Sequence, residues 1–504
     1  LDKLQALQNG SDIRGIAIST DEAAANLTAV EASAIANGIV DWLQQHHATD
    51  GQQLRIAVGH DSRLSGPTLK QALIDTFLTH SVEVLDTGMA TTPAMFMATQ
   101  FESFDCDAGI MITASHLPYH YNGIKLFSRK GGAEHEDIAY ILAHSYPLDR
   151  SLPVVGQVQT ADVIPVYAQD MVRKIQRATG EEKPLASFHI VLDAGNGAGG
   201  FFAEKVLQEL GADTTGSQFL EPDGTFPNHI PNPDNKEAMA SIQRAVLTQG
   251  ADLGVIFDTD VDRAAVVDRN GEALNRNNLI AVLATIVLEE HPGTAIVTNS
   301  PTSSHLKTFI SQLGGKQVRY LSGYRNVINK AISLNEQGVD TQLAIETSGH
   351  AAFKENYFLD DGAYVIAKIL MLLPKLKKQG RQLSDLIADL KQPAETQEVR
   401  FPIAGSDYRA YGEQVIQQMA VFADDHADFS MDDDNEEGVR VTVRGEYGSG
   451  WYLLRMSLHE PLLVLQAEND VKTKNSAVLH ELQPFFGAYD RLDTSKLTAV
   501  LNEA

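Results

Sequence analysis

Short, unbroken apolar runs recur along the chain, each closed by a polar or glycine-rich loop and followed by a helical pattern. Runs at 54–58, 82–85 and 108–112 predict buried strands, and 68–79 and the stretch opened by Thr91-Thr92-Pro93 predict helices. The alternation up to residue 127 predicts a mainly parallel sheet covered by helices. Ahead of it, Ser11-Asp12-Ile13-Arg14-Gly15 reads as a polar loop, and Ser65 before Pro67 as a helix cap. The run Ala108-Gly109-Ile110-Met111-Ile112 delivers Thr113-Ala114-Ser115-His116-Leu117-Pro118 to a loop, and Asn122-Gly123 turns the chain back into a short strand at 124–127.

Prolines 147, 153 and 165 mark a linker before a helix at 162–179. A strand at 188–192, the loop Asp193-Ala194-Gly195-Asn196-Gly197-Ala198-Gly199-Gly200 and a helix at 201–210 come next. Residues 221–234 hold four prolines and no periodicity, so they form a long connection or an interface arm. A helix at 236–248 precedes two apolar strands, 251–257 and 264–267, joined by Asp258-Thr259-Asp260-Val261-Asp262-Arg263. Helices at 278–289 and 303–313 then alternate with strands at 294–298, 317–321 and 342–345, and Asp360-Asp361 opens a helix through 373. After Pro393 strands with shorter helices replace the alternation, interrupted by an acidic run at 432–437 that reads as a solvated loop.

A chain of 504 residues is too long for one core and implies three or four domains. A formal charge of -26 excludes a phosphate-backbone partner, which needs a basic footprint. No apolar run is long enough to span a bilayer, so neither nucleic acid nor membrane is expected. The single cysteine, Cys106, leaves no disulfide framework and fits a reducing compartment, the cytoplasm; no charged and apolar leader is recognisable at Leu1.

Four loops carry candidate chemistry. Ser115, beside His116 and ten residues before Lys125, could hold a phosphoryl group, although the stretch alone is also an ordinary surface turn. Asp258, Asp260 and Asp262 repel one another unless a cation lies among them, and few carboxylates with coordination left for water and phosphate suit Mg2+. An EF-hand is excluded, because Arg263 and Arg269 stand where its glycine and bidentate glutamate belong. Glu346, Ser348 and His350 alternate at a strand end and can meet sugar hydroxyls, while Arg455 and Ser457 can clamp a phosphate. Gly195 to Gly200 also match a dinucleotide fingerprint, but no acidic residue follows at the right place, so close packing of strand on helix is the preferred reading.

Taken together, Asp12 to Gly15, Val58 to Pro67, Thr113 to Lys125, Asp193 to Gly197, Asp258 to Arg263, Ser348 to His350 and Arg455 to Pro461 resemble the α-D-phosphohexomutase superfamily, most closely its phosphomannomutase/phosphoglucomutase branch. The resemblance implies an α/β protein of three related α/β domains with mixed sheets and a smaller α+β C-terminal domain around a central cleft, with limits at 1–157, 158–272, 273–393 and 394–504. It implies that phosphorylated Ser115 exchanges its group with hexose phosphates through a hexose 1,6-bisphosphate. Mg2+ is then held by Ser115, Asp258, Asp260 and Asp262. Arg14, Lys125, His116 and His350 serve the transfer, and Arg263, Tyr324, Glu346, Ser348, His350, Arg455, Ser457 and His459 hold substrate. A monomer or weak homo-oligomer is expected. Leu117, Tyr324, Leu458 and His459 depart from the branch's usual residues, so the sugar stays open between mannose, glucose and glucosamine. A non-catalytic sugar-phosphate binder is the alternative from another class.

Overall fold

The computed structural model describes residues 2–47 and 51–503; Leu1, where the leader reading starts, lies outside them. The chain divides into two compact units, Leu1–Leu283 with Ser348–Leu386, and Ala284–Thr347 with Ile387–Ala504.

In the first unit, one sheet runs in the order Gln8–Asn9, Asp12–Ile16, Tyr121–Ser128, Ala108–Ile112, Arg55–His60, Glu83–Met89, Gln157–Thr160. It is mixed rather than mainly parallel. Ala108–Ile112, Arg55–His60, Glu83–Met89 and Gln157–Thr160 pair parallel, but the chain leaving the Ser115 loop returns antiparallel beside Ala108–Ile112, and Asp12–Ile16 adds antiparallel to that. The opening segment is therefore a strand, not a loop: Leu7 and Ile13 are fully buried in the core with Ile124, Trp42 and Phe77. Asn122-Gly123 lies inside the returning strand, where a side chain at 123 would strike the Ile13 carbonyl at 2.4 Å. Ser65 stands at the N-cap of the helix Gly66–Thr79 and its carbonyl accepts from Leu69 N–H, but its hydroxyl makes no cap bond and accepts from Asn122 instead. The proline-marked linker ends in the sheet's edge strand, so this layer extends to Thr160.

The second sheet of this unit runs Ala273–Leu274, Ala264–Asp268, Leu253–Phe257, Ile190–Asp193, with only the last pair parallel. Phe257 pairs with Ala264, so Asp258 to Arg263 is a tight hairpin loop between fully buried strands. The glycine-rich stretch after Ile190–Asp193 packs on that loop: a Cβ at Gly197 would lie 2.6 Å from the Thr259 carbonyl, and one at Gly200 2.2 Å from the Leu220 carbonyl. Close packing accounts for these glycines. We expect Gly197→Ala to lower stability by about 1–3 kcal/mol, measured as a shift in the urea midpoint, because backbone must move to admit the methyl.

In the second unit, Lys316–Tyr320, Ala295–Asn299 and Thr341–Ile345 pair parallel, with helices Ser304–Gln312 and Tyr324–Glu336 between them in sequence. The C-terminal sheet is antiparallel throughout, ordered Glu395–Pro402, Leu462–Asn469, Gly450–Met456, Val439–Val443, Phe429–Met431. Its core, around Phe401, Tyr452 and Phe486, packs with the 17-residue helix Tyr408–Asp424, longer than the sequence pattern suggested. The acidic run is not simply solvated. Glu437 accepts from the Ser300 and Ser322 hydroxyls and the Ser322 N–H, and Asp432 pairs with Arg319 and Arg440. The fold class is thus three α/β domains with mixed sheets, followed by an α+β domain.

Candidate active site

Ser115 leaves the buried strand Ala108–Ile112 in a left-handed turn, with φ +51. Its N–H donates to Thr113 Oγ1 at 3.0 Å. Its hydroxyl lies 3.3 Å from Asp258 Oδ2 and accepts from Arg263 Nη2 at 3.4 Å, so the two loops that carry most of the sequence-level chemistry meet here.

The aspartate loop is held through three successive carbonyls. Thr259 O accepts from Ala198 N–H at 2.8 Å, Asp260 O from Thr92 N–H at 2.9 Å, and Val261 O from Gly362 N–H at 3.0 Å. Each donor belongs to a different element. Together they keep Val261 at φ +63, a conformation costing a β-branched residue about 1–3 kcal/mol and tolerated where its surroundings over-determine it. A side chain at Gly362 would strike the backbone of Val261 and Arg263 at 2.8 Å, so the helix Gly362–Lys378 begins directly against this loop.

Asp258, Asp260 and Asp262 are buried, and one oxygen of each lies within 4.8 Å of the others. Burial, then Asp262 and Asp260, hold the Asp258 carboxyl well above its ordinary range; burial and Asp262 push Asp260 up to about 7. Burial alone would also raise Asp262, but His350 and Lys125 pull it below the usual carboxylate range. Asp260 Oδ1 and Asp262 Oδ1 are buried without a hydrogen-bond partner. Hard oxygen donors at this spacing, two of them unsatisfied, fit a divalent cation.

Cationic groups surround the triad. Arg263 Nε donates to Asp258 Oδ2 at 3.1 Å, Nη1 to Asn232 Oδ1 at 3.2 Å, and Nη2 to His116 Nδ1 at 2.6 Å. Burial and Arg263 push the His116 imidazole down to about 2, so it is neutral and acts as the acceptor that orients this guanidinium. Lys125 Nζ donates to Asp12 Oδ2 at 3.0 Å and lies 3.9 Å from Asp262 Oδ2. Arg14 reaches the same Asp12 oxygen at 3.5 Å, and its Nε is buried without a hydrogen-bond partner. His350 Nδ1 bonds Asp360 Oδ2 and lies 3.9 Å from Asp262. Burial lowers the His350 pKa, but Asp360 and Asp262 outweigh it and hold the ring above its ordinary value. Ser348 O accepts from Arg263, and its buried hydroxyl has no hydrogen-bond partner.

Arg14, Ser115, His116, Lys125, Asp258, Asp260, Asp262, Arg263, Ser348 and His350 all lie in the first unit. Tyr324, Glu346, Arg455, Ser457 and His459 lie in the second. There Gly323 N–H donates to Glu346 Oε2 at 2.9 Å, Tyr324 opens a helix, and Arg455 Nε lies 3.7 Å from Glu437. Ser457 Oγ accepts from Glu460 N–H at 3.3 Å, and a Cβ at Gly323 would lie 3.1 Å from Leu458.

Sequence reasoning did not assign roles to Asp12, Thr92, Asn232 or Asp360. Asp12 stands in a motif, and its partner Lys125 is visible only once two strands pair. Asp360 reads as the start of a helix, but Asp361 is the cap, and Asp360 lies on the strand Leu359–Asp360. Asn232, in the proline-rich arm, carries no signal beyond its loop.

Residues 5–146, 165–271 and 275–393 match the models described as phosphoglucomutase/phosphomannomutase alpha/beta/alpha domains I, II and III. A phosphomannomutase/phosphoglucomutase of Pseudomonas aeruginosa is 31% identical over 425 residues, covering 83% of this chain and 84% of the relative. A phosphoglucomutase of Neisseria gonorrhoeae is 31% identical over 487 residues, covering 95% of each. The crystal structure of a phosphoglucomutase/phosphomannomutase family protein from Burkholderia thailandensis superposes with a TM-score of 0.77 at 26% identity, covering 96% of this chain and 97% of that one. The fold is that of the α-D-phosphohexomutase superfamily. Within it, this chain belongs to the phosphoglucomutase/phosphomannomutase family. Among the described residues no helix is long and apolar enough to cross a membrane.

Proposed function

We propose that the chain interconverts hexose 6-phosphate and hexose 1-phosphate, with mannose or glucose as the sugar, by way of a phosphorylated Ser115 and a hexose 1,6-bisphosphate. The single observation that carries this reading is the Ser115 hydroxyl 3.3 Å from Asp258, inside a triad of buried aspartates and beside Arg263. In the first transfer the bond between Ser115 Oγ and phosphorus breaks as one forms to a sugar hydroxyl oxygen. The second transfer returns the other phosphoryl group to Oγ.

Asp258, Asp260, Asp262 and a Ser115 phosphate oxygen would hold Mg2+, which when bound supplies positive charge to the phosphoryl group in transit. Arg263 is aimed at Oγ and is held there by Asp258, Asn232 and His116. Arg14 and Lys125, anchored on Asp12, steady phosphoryl oxygens. His350 takes the hydroxyl proton, and Asp360 fixes its tautomer and ring orientation. Asp360→Asn is expected to lower kcat roughly 10- to 100-fold, the usual effect of loosening a carboxylate on a working histidine, with KM little changed. Initial rates over a range of hexose phosphate concentrations check this.

The Ser348 hydroxyl, lacking a partner in the protein, is suited to a sugar hydroxyl. Glu346 and Tyr324 are assigned to the sugar, and Arg455, Ser457 and His459 to the phosphate not in transit. For domain limits we keep the sequence boundaries at 272 and 393 and move the first to follow Thr160, where its edge strand ends. Coupled assays with mannose, glucose and glucosamine phosphates, with hexose bisphosphate added, test the activity and rank the sugars. Turnover of glucosamine phosphate above the others would reassign the substrate, and no turnover of any by fully phosphorylated protein would leave a non-catalytic binder.

A further inference from the structure

The loop that carries Ser115 turns its carbonyl oxygens inward, and one side chain receives them. Arg63 Nη2 donates to Ser115 O at 2.5 Å and to Leu117 O at 2.7 Å, while Nη1 donates to Pro118 O at 2.8 Å and Tyr121 O at 3.0 Å. The side chain is fully buried. Its own loop is tied to the same turn by Asp61, whose carboxylate accepts from Arg63 N–H at 2.9 Å and from Thr113 Oγ1 at 2.6 Å; that hydroxyl in turn accepts from Ser115 N–H. Both peptide groups of Ser115 are therefore held from the Asp61 to Arg63 loop, and its hydroxyl is left facing Asp258 and Arg263.

The arm at 221–234 has a place in this arrangement. Phe226 lies over the guanidinium, 5.2 Å from ring centroid to Cζ, and a Cβ at Gly224 would lie 2.5 Å from Ser62 O and 2.7 Å from Leu64 N. The arm thus covers the buried cation and keeps water from competing for the four carbonyls.

We propose that Arg63 is the positioning residue of the phosphoryl-carrying serine: its guanidinium fork, closed over by Phe226, fixes the backbone of the Ser115 loop and thereby the direction of Oγ. The inference rests on Ser115 being the residue that carries the phosphoryl group. A planar fork suits four carbonyls in two pairs; an ammonium has three donors on one point and cannot reproduce it. Without the fork Ser115 is no longer held in its left-handed conformation, and Oγ wanders from the line of transfer. A displacement of about 1 Å in a reacting atom lowers rate roughly 100-fold.

The test uses the Mg2+-loaded chain and its Arg63→Lys and Arg63→Ala variants, with hexose 1-phosphate as substrate and hexose 1,6-bisphosphate as phosphoryl donor. For Arg63→Lys we expect kcat to fall about 100-fold with KM within roughly twofold of the parent. The rate at which Ser115 gains phosphate should fall by the same factor. Guanidinium ion, and not ammonium, should restore part of the kcat of Arg63→Ala. A folded Arg63→Lys protein that keeps its kcat overturns the inference. So does lower activity caused only by fewer phosphorylatable chains, with those that remain turning over at the parental rate. If the parent itself takes no phosphate on Ser115, the proposed function fails first and the inference with it.

Discussion

Ser115→Ala is expected to lose turnover by roughly 10⁴-fold or more, because no other group takes over the covalent step. The buried hydroxyl accepts from Arg263 and lies beside Asp258, and among the described residues no other serine or threonine hydroxyl shares both neighbours. The loop is held by backbone and guanidinium contacts rather than by Oγ, so the variant should fold, and its thermal midpoint should stay close to the parent's. Binding of hexose phosphate, measured by calorimetry, should survive, which separates loss of the nucleophile from loss of the site. Serine-independent turnover would contradict the assignment.

The second large effect concerns the cation. Treatment with a chelator should abolish turnover, and added Mg2+ should restore it; Asp258→Asn should lower kcat about 10²- to 10³-fold at saturating Mg2+, the size of effect seen when one preorganised electrostatic group is removed. Stability gives an independent readout. Burial and Asp262 hold Asp260 up near 7 in the metal-free fold, so that fold disfavours its charged form. The sign follows: between 3.8 and about 7 metal-free protein binds more protons at this group than the unfolded chain, so it loses stability as pH rises across that window and no further above it. Mg2+ should remove that loss and raise the thermal midpoint, by about 2.7 kcal/mol of stabilisation at a concentration 100 times its dissociation constant. A midpoint indifferent to Mg2+ would place the cation elsewhere.

What the sequence reveals about this molecule follows from how local each signal is. Asp258, Asp260 and Asp262 sit between two apolar strands at alternate positions, so their mutual repulsion and rigid setting can be read without a fold. Ser115 is legible for the same reason, as a hydroxyl at the end of a fully apolar strand. Glycines 197 and 200 announce close packing, although only the structure says against which carbonyls.

The signals that failed depend on distant partners. Asp12–Ile16 is too short and too polar to read as a strand until Tyr121–Ser128 lies beside it. Asp432 and Glu437 look solvated because neighbouring acids are dense in sequence, yet Arg319, Arg440, Ser300 and Ser322 gather to them from elsewhere in their unit. Arg63 resembles any loop arginine until four carbonyls, from Ser115 to Tyr121, are seen to converge on it. The first sheet turns mixed where the chain doubles back after the Ser115 loop, and Asp12–Ile16 then adds antiparallel to the returning strand.

The central claim is that Ser115 holds a phosphoryl group and exchanges it with the sugar. Intact-mass spectrometry of the purified chain, before and after incubation with hexose 1,6-bisphosphate and then, with the bisphosphate removed, with hexose monophosphate acceptor in excess, tests it most directly. The account predicts a gain of about 80 Da located on the peptide containing Ser115, lost again to the acceptor and absent from Ser115→Ala. A chain that turns over hexose phosphates while its mass never changes, or that carries the added mass on another residue, would contradict it.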